Sequence, residues 1–200
     1  MYAAESFSNR SDVAQIIVVI SPEDRETFHE KFAGNLALLG AQIVLGGEQR
    51  ADSVRNGLRE VREDIPFVAI HDVARPCLAE AWVDAVFEKA KSTDAAILAI
   101  PCHATLKKVG ADRTIEATVS RDQLWLAQTP QVFRTQLLRD AYEKHAQPNL
   151  ATDEASLVEA LGHKVHIVEG SPLNIKVTTK ADLKFAELAL KVLPKKNSLW

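Results

Sequence analysis

An α/β fold built on a mostly parallel sheet is what this sequence predicts, and three observations predict it. Apolar, β-branched runs of strand length recur along the chain. Amphipathic stretches of helix length alternate with them. One stretch, residues 105–119, breaks the alternation with two period-two segments around a glycine turn. Strands alternating with helices imply a sheet covered on both faces, hence three layers. A hairpin inserted into that pattern implies a projecting arm. The 200 residues are enough for one domain of this kind, expected to span 1–200, with no internal repeat or linker.

Each element has its own warrant. Residues 1–12 read as the end of a helix with Ala3, Ala4 and Phe7 on one side, then a loop at Asn9-Arg10-Ser11. Ile16 to Ile20 is five β-branched residues, a buried strand. Ser21-Pro22-Glu23 opens a helix whose apolar face is Phe28, Phe32 and Leu36. Gln42 to Leu45 is a second strand, closed by Gly46-Gly47, and a helix follows with Val54, Leu58 and Val61 on one face. Phe67 to Ile70 is a third strand, apolar enough to be buried on both faces. A helix carrying Leu78, Trp82, Val86 and Ala90 leads to a fourth strand, Ala95 to Ile100.

The arm occupies about 102–121 and is too small to be stable alone, so it is expected to lean on something, such as a second subunit. The segment 123–133 returns to the core, and 134–145 is helical. Thr152-Asp153-Glu154 caps a helix stopped at Gly162, 164–169 alternates as a strand, and Asn174 to Val177 reads as a short strand or edge. Thr179 to Asp182 is a capping box for a last helix, with Leu183, Ala186, Leu190 and Leu193 inward. The tail PKKNSLW is expected to be loose.

Composition excludes several classes. A net charge of −3 and the lack of a Lys/Arg block argue against nucleic acid. No apolar run approaches a membrane span, and no signal peptide is visible. Two cysteines, Cys77 and Cys102, give no metal spacing and suit a reducing compartment, so a cytoplasmic protein is expected.

The most informative stretch is Phe67 to Pro76, FVAIHDVARP. It places Asp72 at the carboxyl end of a strand, where open α/β sheets put their ligands. Asp72 could bind a metal or a ribose hydroxyl, or could brace its loop; His71 reads as a loop brace. Arg75 could grip a phosphate or pair with a nearby acid. Gly46 to Ser53 offers a close backbone approach and a helix amino end, or else a tight turn with a cap. Arg121 and Lys176 are each a solvated charge unless the fold gathers them at Asp72, where with a metal they would make a phosphoryl-transfer site.

Taken together, GGEQRADSVRNGL, HDVARPCL, TVSRDQLWLAQTPQVF, ATDEASLVE and NIKVTTKADL, in this order, resemble the 2-C-methyl-D-erythritol 4-phosphate cytidylyltransferases. The resemblance runs from about Asp12 to about Leu190. It implies a Rossmann-like nucleotidyltransferase sheet and transfer of CMP from CTP to methylerythritol phosphate. It implies Gly47, Glu48 and Ser53 at the cytosine and ribose, Asp72 holding Mg²⁺ on the CTP phosphates with Ala74 nearby, and Arg75 near the methylerythritol phosphate. Lys176 would lie at the transferring phosphate. Thr129 and Thr152 would line the substrate pocket. The arm would interlock a homodimer, carrying Thr105 and Arg121 into the partner's site.

The resemblance also implies a first strand and a glycine-rich loop with an arginine and a lysine that cradle the triphosphate. Residues 1–12 match the helix before the family's second strand, and no such loop stands ahead of them. The expectation is therefore an amino-terminally shortened chain, nearly inactive and less stable, in a bacterial cytoplasm or a plastid. Leu173 stands where some family members carry an acid. Ribitol-5-phosphate cytidylyltransferase is the nearest rival, and a non-catalytic nucleotide-binding or dimerisation module is the rival of another class.

Overall fold

The computed structural model describes residues 2–145, 148 and 151–194. In it the α/β expectation holds, with the strands divided among separate sheets. β1 (Ile16–Ile20) and β2 (Ala41–Leu45) pair in parallel as one two-stranded sheet. β3 (Phe67–Ile70), β4 (Ala95–Pro101), β7 (Trp125–Arg134) and β8 (His166–Glu169) form a four-stranded sheet in the order β3-β7-β4-β8. The hairpin β5 (Leu106–Val109) and β6 (Ile115–Val119) stands apart as a third sheet.

The four-stranded sheet is mixed rather than mostly parallel. β4 and β8 run parallel, but β7 runs antiparallel to both β3 and β4. The cause is the arm. The chain leaves β4 into the hairpin and comes straight back beside the strand it left, so the return must be antiparallel. The register between β4 and β7 shifts between Ile97 and Ala99: Ile97 faces Gln131 and Ala99 faces Ala127, so Gln128, Thr129 and Pro130 bulge out opposite Leu98. Such bulges re-aim side chains beside active sites, and this one does.

Helices cover both faces of the four-stranded sheet. α4 (Glu80–Thr93) packs Val83, Val86 and Ala90 on Ala96, Leu98 and Val132. On the other face, α3 (Arg50–Arg59), α5 (Thr135–Lys144) and α6 (Glu154–Ala160) pack Leu58, Leu138 and Val158 around Ala95, Ile97 and Phe133. α3 also lies on β1 and β2, with Gly57 so close to Val19 that a Cβ would sit 2.9 Å from its methyl group. α1 (Tyr2–Ser8) inserts Phe7 into the α4 side. α2 (Arg25–Leu38), entered through the 3₁₀ turn Pro22–Asp24, packs on β2. α7 (Lys180–Val192) closes over Cys77 with Ala186 and Ala189. Among the described residues no helix is long and apolar enough to cross a membrane.

Three further expectations are corrected. β1 and β3 are only partly buried, because β1 is paired along one edge and β3 likewise, and no hydrogen-bonded strand lies between them among the described residues. Asn174 to Val177 is a loop, because its backbone groups bond to the Ala74 and Ser171 carbonyls and to the Arg75 side chain instead of forming a ladder with a strand. Leu183 is 52% exposed and Phe32 40% exposed, since the buried stripe of α7 centres on Ala186 and Ala189 and α2 buries only Leu36. The capping box of α7 forms as expected, Thr179 accepting from the Asp182 N–H and Asp182 from the Thr179 N–H. The tail from residue 195 onward lies outside the described residues.

Candidate active site

β3 ends at Ile70, and the turn after it carries His71, Asp72, Ala74 and Arg75. Thr129, pushed out by the β7 bulge, fastens this turn. Its oxygen accepts the Asp72 backbone N–H at 3.0 Å, and it lies 3.0 Å from His71 Nδ1. His71 Nε2 lies 3.0 Å from the Arg75 carbonyl, which can only accept. His71 is therefore the neutral imidazole with its proton on Nε2, donating to Arg75 while Nδ1 accepts from the Thr129 hydroxyl. Burial holds its pKa down to about 4. His71 braces the loop, as the sequence suggested.

The Asp72 side chain faces three cations. Lys176 Nζ is 2.9 Å from Oδ2, Arg75 Nε 3.6 Å from Oδ2, and Arg50 Nη2 4.0 Å from Oδ1. Burial alone would raise the pKa of this carboxyl. Lys176 first, then Arg50 and Arg75, more than offset that and hold it below the usual carboxylate range.

Lys176 reaches Asp72 because its loop is pinned on both sides. Asn174, fully buried, donates to the Thr129 carbonyl at 2.9 Å and to Gln128 Oε1 at 3.4 Å. The Val177 N–H donates to the Ala74 carbonyl at 2.7 Å. Arg75 completes the joint, giving Nη1 to the Asn174 carbonyl at 2.7 Å and Nη2 to the Ala127 carbonyl at 3.4 Å. Arg75 thus ties the Lys176 loop to the Asp72 turn as well as flanking the carboxylate. Burial lowers its pKa, which Asp72 only partly offsets.

The third side of the site is the turn from β2 into α3. Ser53 Oγ donates to the Gln49 carbonyl and accepts the Gly47 N–H, both at 3.2 Å. The loop is wrapped so tightly that a Cβ on Gly46 would lie 2.5 Å from Ser53 Oγ, and one on Gly47 2.4 Å from Asp52 Cβ. Only glycine fits either position. No side chain caps α3, so the backbone N–H groups of its first turn are not taken up by a capping side chain, and the neighbouring Glu48 is exposed.

The fold thus gathers Asp72, Ala74, Arg75, Thr129 and Lys176, and brings Gly47 and Ser53 alongside through Arg50, the first residue of α3. Other candidates stand elsewhere. Thr105 and Arg121 are exposed at the base of the arm, where Arg121 donates to the His103 carbonyl. Thr152 is exposed at the entrance to α6, two residues before Glu154.

Sequence reasoning missed Arg50, Glu154 and Tyr142. Glu154 is 1% exposed and receives both ends of the Arg50 guanidinium, at 2.8 and 2.7 Å, and the Tyr142 hydroxyl at 3.0 Å. The only signal was Glu154 itself, an acid at the first position of α6 followed by the apolar residues Ala155, Leu157 and Val158. Around Asp72 itself, Arg50, Arg75 and Lys176 are three cations facing one carboxylate, with Glu154 paired to Arg50 behind it.

Comparison with known proteins bears on this site. Residues 2–192 match the family model of 2-C-methyl-D-erythritol 4-phosphate cytidylyltransferase. The enzyme of that name from Pelotomaculum thermopropionicum is 42% identical over 183 residues, covering 90% of this chain and 77% of that protein. The chloroplastic enzyme of Oryza sativa is 38% identical, covering 94% of this chain and 63% of that longer protein. The crystal structure of the Thermus thermophilus enzyme superposes with a TM-score of 0.82 at 34% identity, covering 96% of this chain and 88% of that one. That of the Francisella tularensis enzyme gives 0.81 at 33% identity, covering 94% and 86%. With a turn, loop and helix amino end converging on Asp72 in a fold these enzymes share, the chain belongs to the 2-C-methyl-D-erythritol 4-phosphate cytidylyltransferase family.

Proposed function

We propose that residues 1–200 form one nucleotidyltransferase-like domain whose chemistry is transfer of CMP from CTP to 2-C-methyl-D-erythritol 4-phosphate, with release of pyrophosphate. The observation that carries this reading is the Asp72–Lys176 pair at 2.9 Å, set between Arg50 and Arg75 beside the uncapped amino end of α3. In the reaction, an oxygen of the methylerythritol phosphate attacks the α-phosphorus of CTP in line. The bond from that phosphorus to the bridging oxygen breaks, and pyrophosphate leaves with the electron pair. Little covalent work falls to the protein, so positioning and charge neutralisation supply the rate. Lys176 would face the transferring phosphoryl group, Gly47, Glu48 and Ser53 the nucleoside, and Arg75 and Thr152 the second substrate.

A divalent cation fits this site through Asp72. Among the described residues no cluster of three His, Cys, Asp or Glu could cage one. A single carboxylate completed by substrate phosphates is the usual way Mg²⁺ is held. Such an ion would supply charge neutralisation on the phosphates, and Lys176 would leave Oδ2 free to face them.

We place Thr105 and Arg121 in the partner's site of a homodimer. Their exposed position at the base of the arm and the exposed apolar residues Val109, Ile115 and Val119 of the arm support this. Two free cysteines fit a reducing cytoplasm or plastid.

The experiment is a pyrophosphate-release assay with CTP, Mg²⁺ and either polyol phosphate, run beside calorimetry with CTP and Mg²⁺. Methylerythritol phosphate should support release above background and ribitol 5-phosphate should not. The reverse preference, or the absence of both CTP binding and turnover, overturns the reading.

A further inference from the structure

Glu154 is a carboxylate with 1% exposure, contributed by a helix that carries none of the residues around Asp72. A buried acid without a role is costly, and this one is compensated by a single cation. Both Oε atoms are filled by Arg50, and Oε1 also accepts the Tyr142 hydroxyl. The arrangement fixes the guanidinium in plane and direction. Two of its five N–H groups go to Glu154. The other three have no hydrogen-bond partner among the described residues. The Arg50 side chain remains 41% exposed, with Nη2 4.0 Å from Asp72 Oδ1. A cation held rigidly by a buried acid, half open, beside the site carboxylate is built to present donors to an anion.

We propose that Arg50 contacts the phosphates of the bound nucleotide, and that Glu154 and Tyr142 are positioning residues that hold its guanidinium at that place. This rests on the reading of the site as one for CTP. The arrangement also joins two parts of the fold, since α3 packs on β1 and β2 while α5 and α6 pack on each other beside the four-stranded sheet. A purely structural clasp would therefore have the same contacts, and the test must separate the two.

The test is a double-mutant cycle read by calorimetry with CTP and Mg²⁺, beside the thermal midpoint of each protein. Glu154→Gln keeps the shape and removes the charge. It should weaken CTP about tenfold, and Arg50→Gln about as much. The double variant should bind no more weakly than Arg50→Gln, because Glu154 acts through Arg50. Tyr142→Phe should weaken CTP about threefold with its thermal midpoint close to that of the wild type. A Glu154→Gln protein with a lowered midpoint and wild-type affinity, or additive losses in the cycle, overturns the proposal. If Glu154→Gln does not fold, Tyr142→Phe decides, and wild-type affinity in that variant overturns it. Wild-type protein that binds no CTP refutes the underlying reading, and this proposal falls with it. CTP binding that survives every variant refutes this proposal alone.

Discussion

β1 and β4 are strands of similar apolar character and opposite fate. β1, IIVVI, is the more hydrophobic, yet all its residues but Ile20 are only partly buried. β4, AAILAIP, is fully buried from Ala95 to Ala99. β4 has β7 on one side, β8 on the other and helices on both faces. β1 has β2 on one side and α3 beneath. Burial is thus conferred by neighbours rather than by the side chains themselves. The difference reaches the site: Asp72 and Lys176 hang from the well-packed sheet, whereas the Gly46 to Ser53 turn hangs from the sparsely packed pair.

The same truncation in both strands tests the comparison most directly. Ile97→Ala, in β4, should cost about 3–4 kcal/mol of unfolding free energy, and Ile17→Ala, in β1, about 1–2 kcal/mol, by denaturant titration. Equal costs would mean that the β1–β2 pair is packed as tightly as the larger sheet.

Lys176→Met probes the site on its better-packed side. It removes the ammonium 2.9 Å from Asp72 while keeping most of the length of the side chain. Pyrophosphate release should fall about a hundredfold, with the unfolding midpoint little changed. A loss below about threefold would remove Lys176 from the chemistry.

His71 sharpens the comparison through pH. Its folded pKa, about 4, lies below the ordinary 6.5. The unfolded chain therefore takes up a proton before the folded one does. The stability this group confers is complete above pH 6.5 and is lost as the pH falls toward 4, by about 3 kcal/mol in all. His71→Gln should flatten the pH dependence of unfolding in that window, and an unchanged slope would show that His71 is not the group responsible.

The smallest effect is in hydrogen exchange. Amides of β1 and β2 should exchange faster than those of β4 and β7, because they belong to the part with fewer buried contacts. Equal protection would show that α3 fuses both sheets into one cooperative unit.

Much of this architecture was legible in the sequence because it is local. The capping box at Thr179, the cap at Asp153 and the glycine stop at Gly162 each lie within a few residues, and all formed. Asp72 stood out as a candidate because the carboxyl end of a strand is a recognised place for a ligand, and it keeps that position although β3 is only partly buried. The split sheet was not, since Ile16 to Ile20 reads as a buried strand whatever lies beside it. The Asn174 to Val177 loop misled for a similar reason: Ile175 and Val177 alternate with polar residues, and only the contacts with Thr129 and Ala74 make it a loop. Arg50 and Glu154 lie 104 positions apart, and nothing local links them.

The arm has a geometry with a wider consequence. β4 and β7 stay paired up to Pro101 and Trp125, and the Cys102 N–H still donates to the Leu124 carbonyl at 2.9 Å. Everything from residue 103 to 123 therefore leaves and re-enters the protein across a gap of one strand spacing, about 4.8 Å. The arm is a modular insertion, grafted between two strands that already form a hairpin stem. Evolution or an engineer could lengthen or exchange its outer part, Leu106 to Val119, without moving a core side chain, provided Thr105 and Arg121 at its base are kept. Quaternary arrangement could then diversify in this fold while the catalytic scaffold stayed fixed.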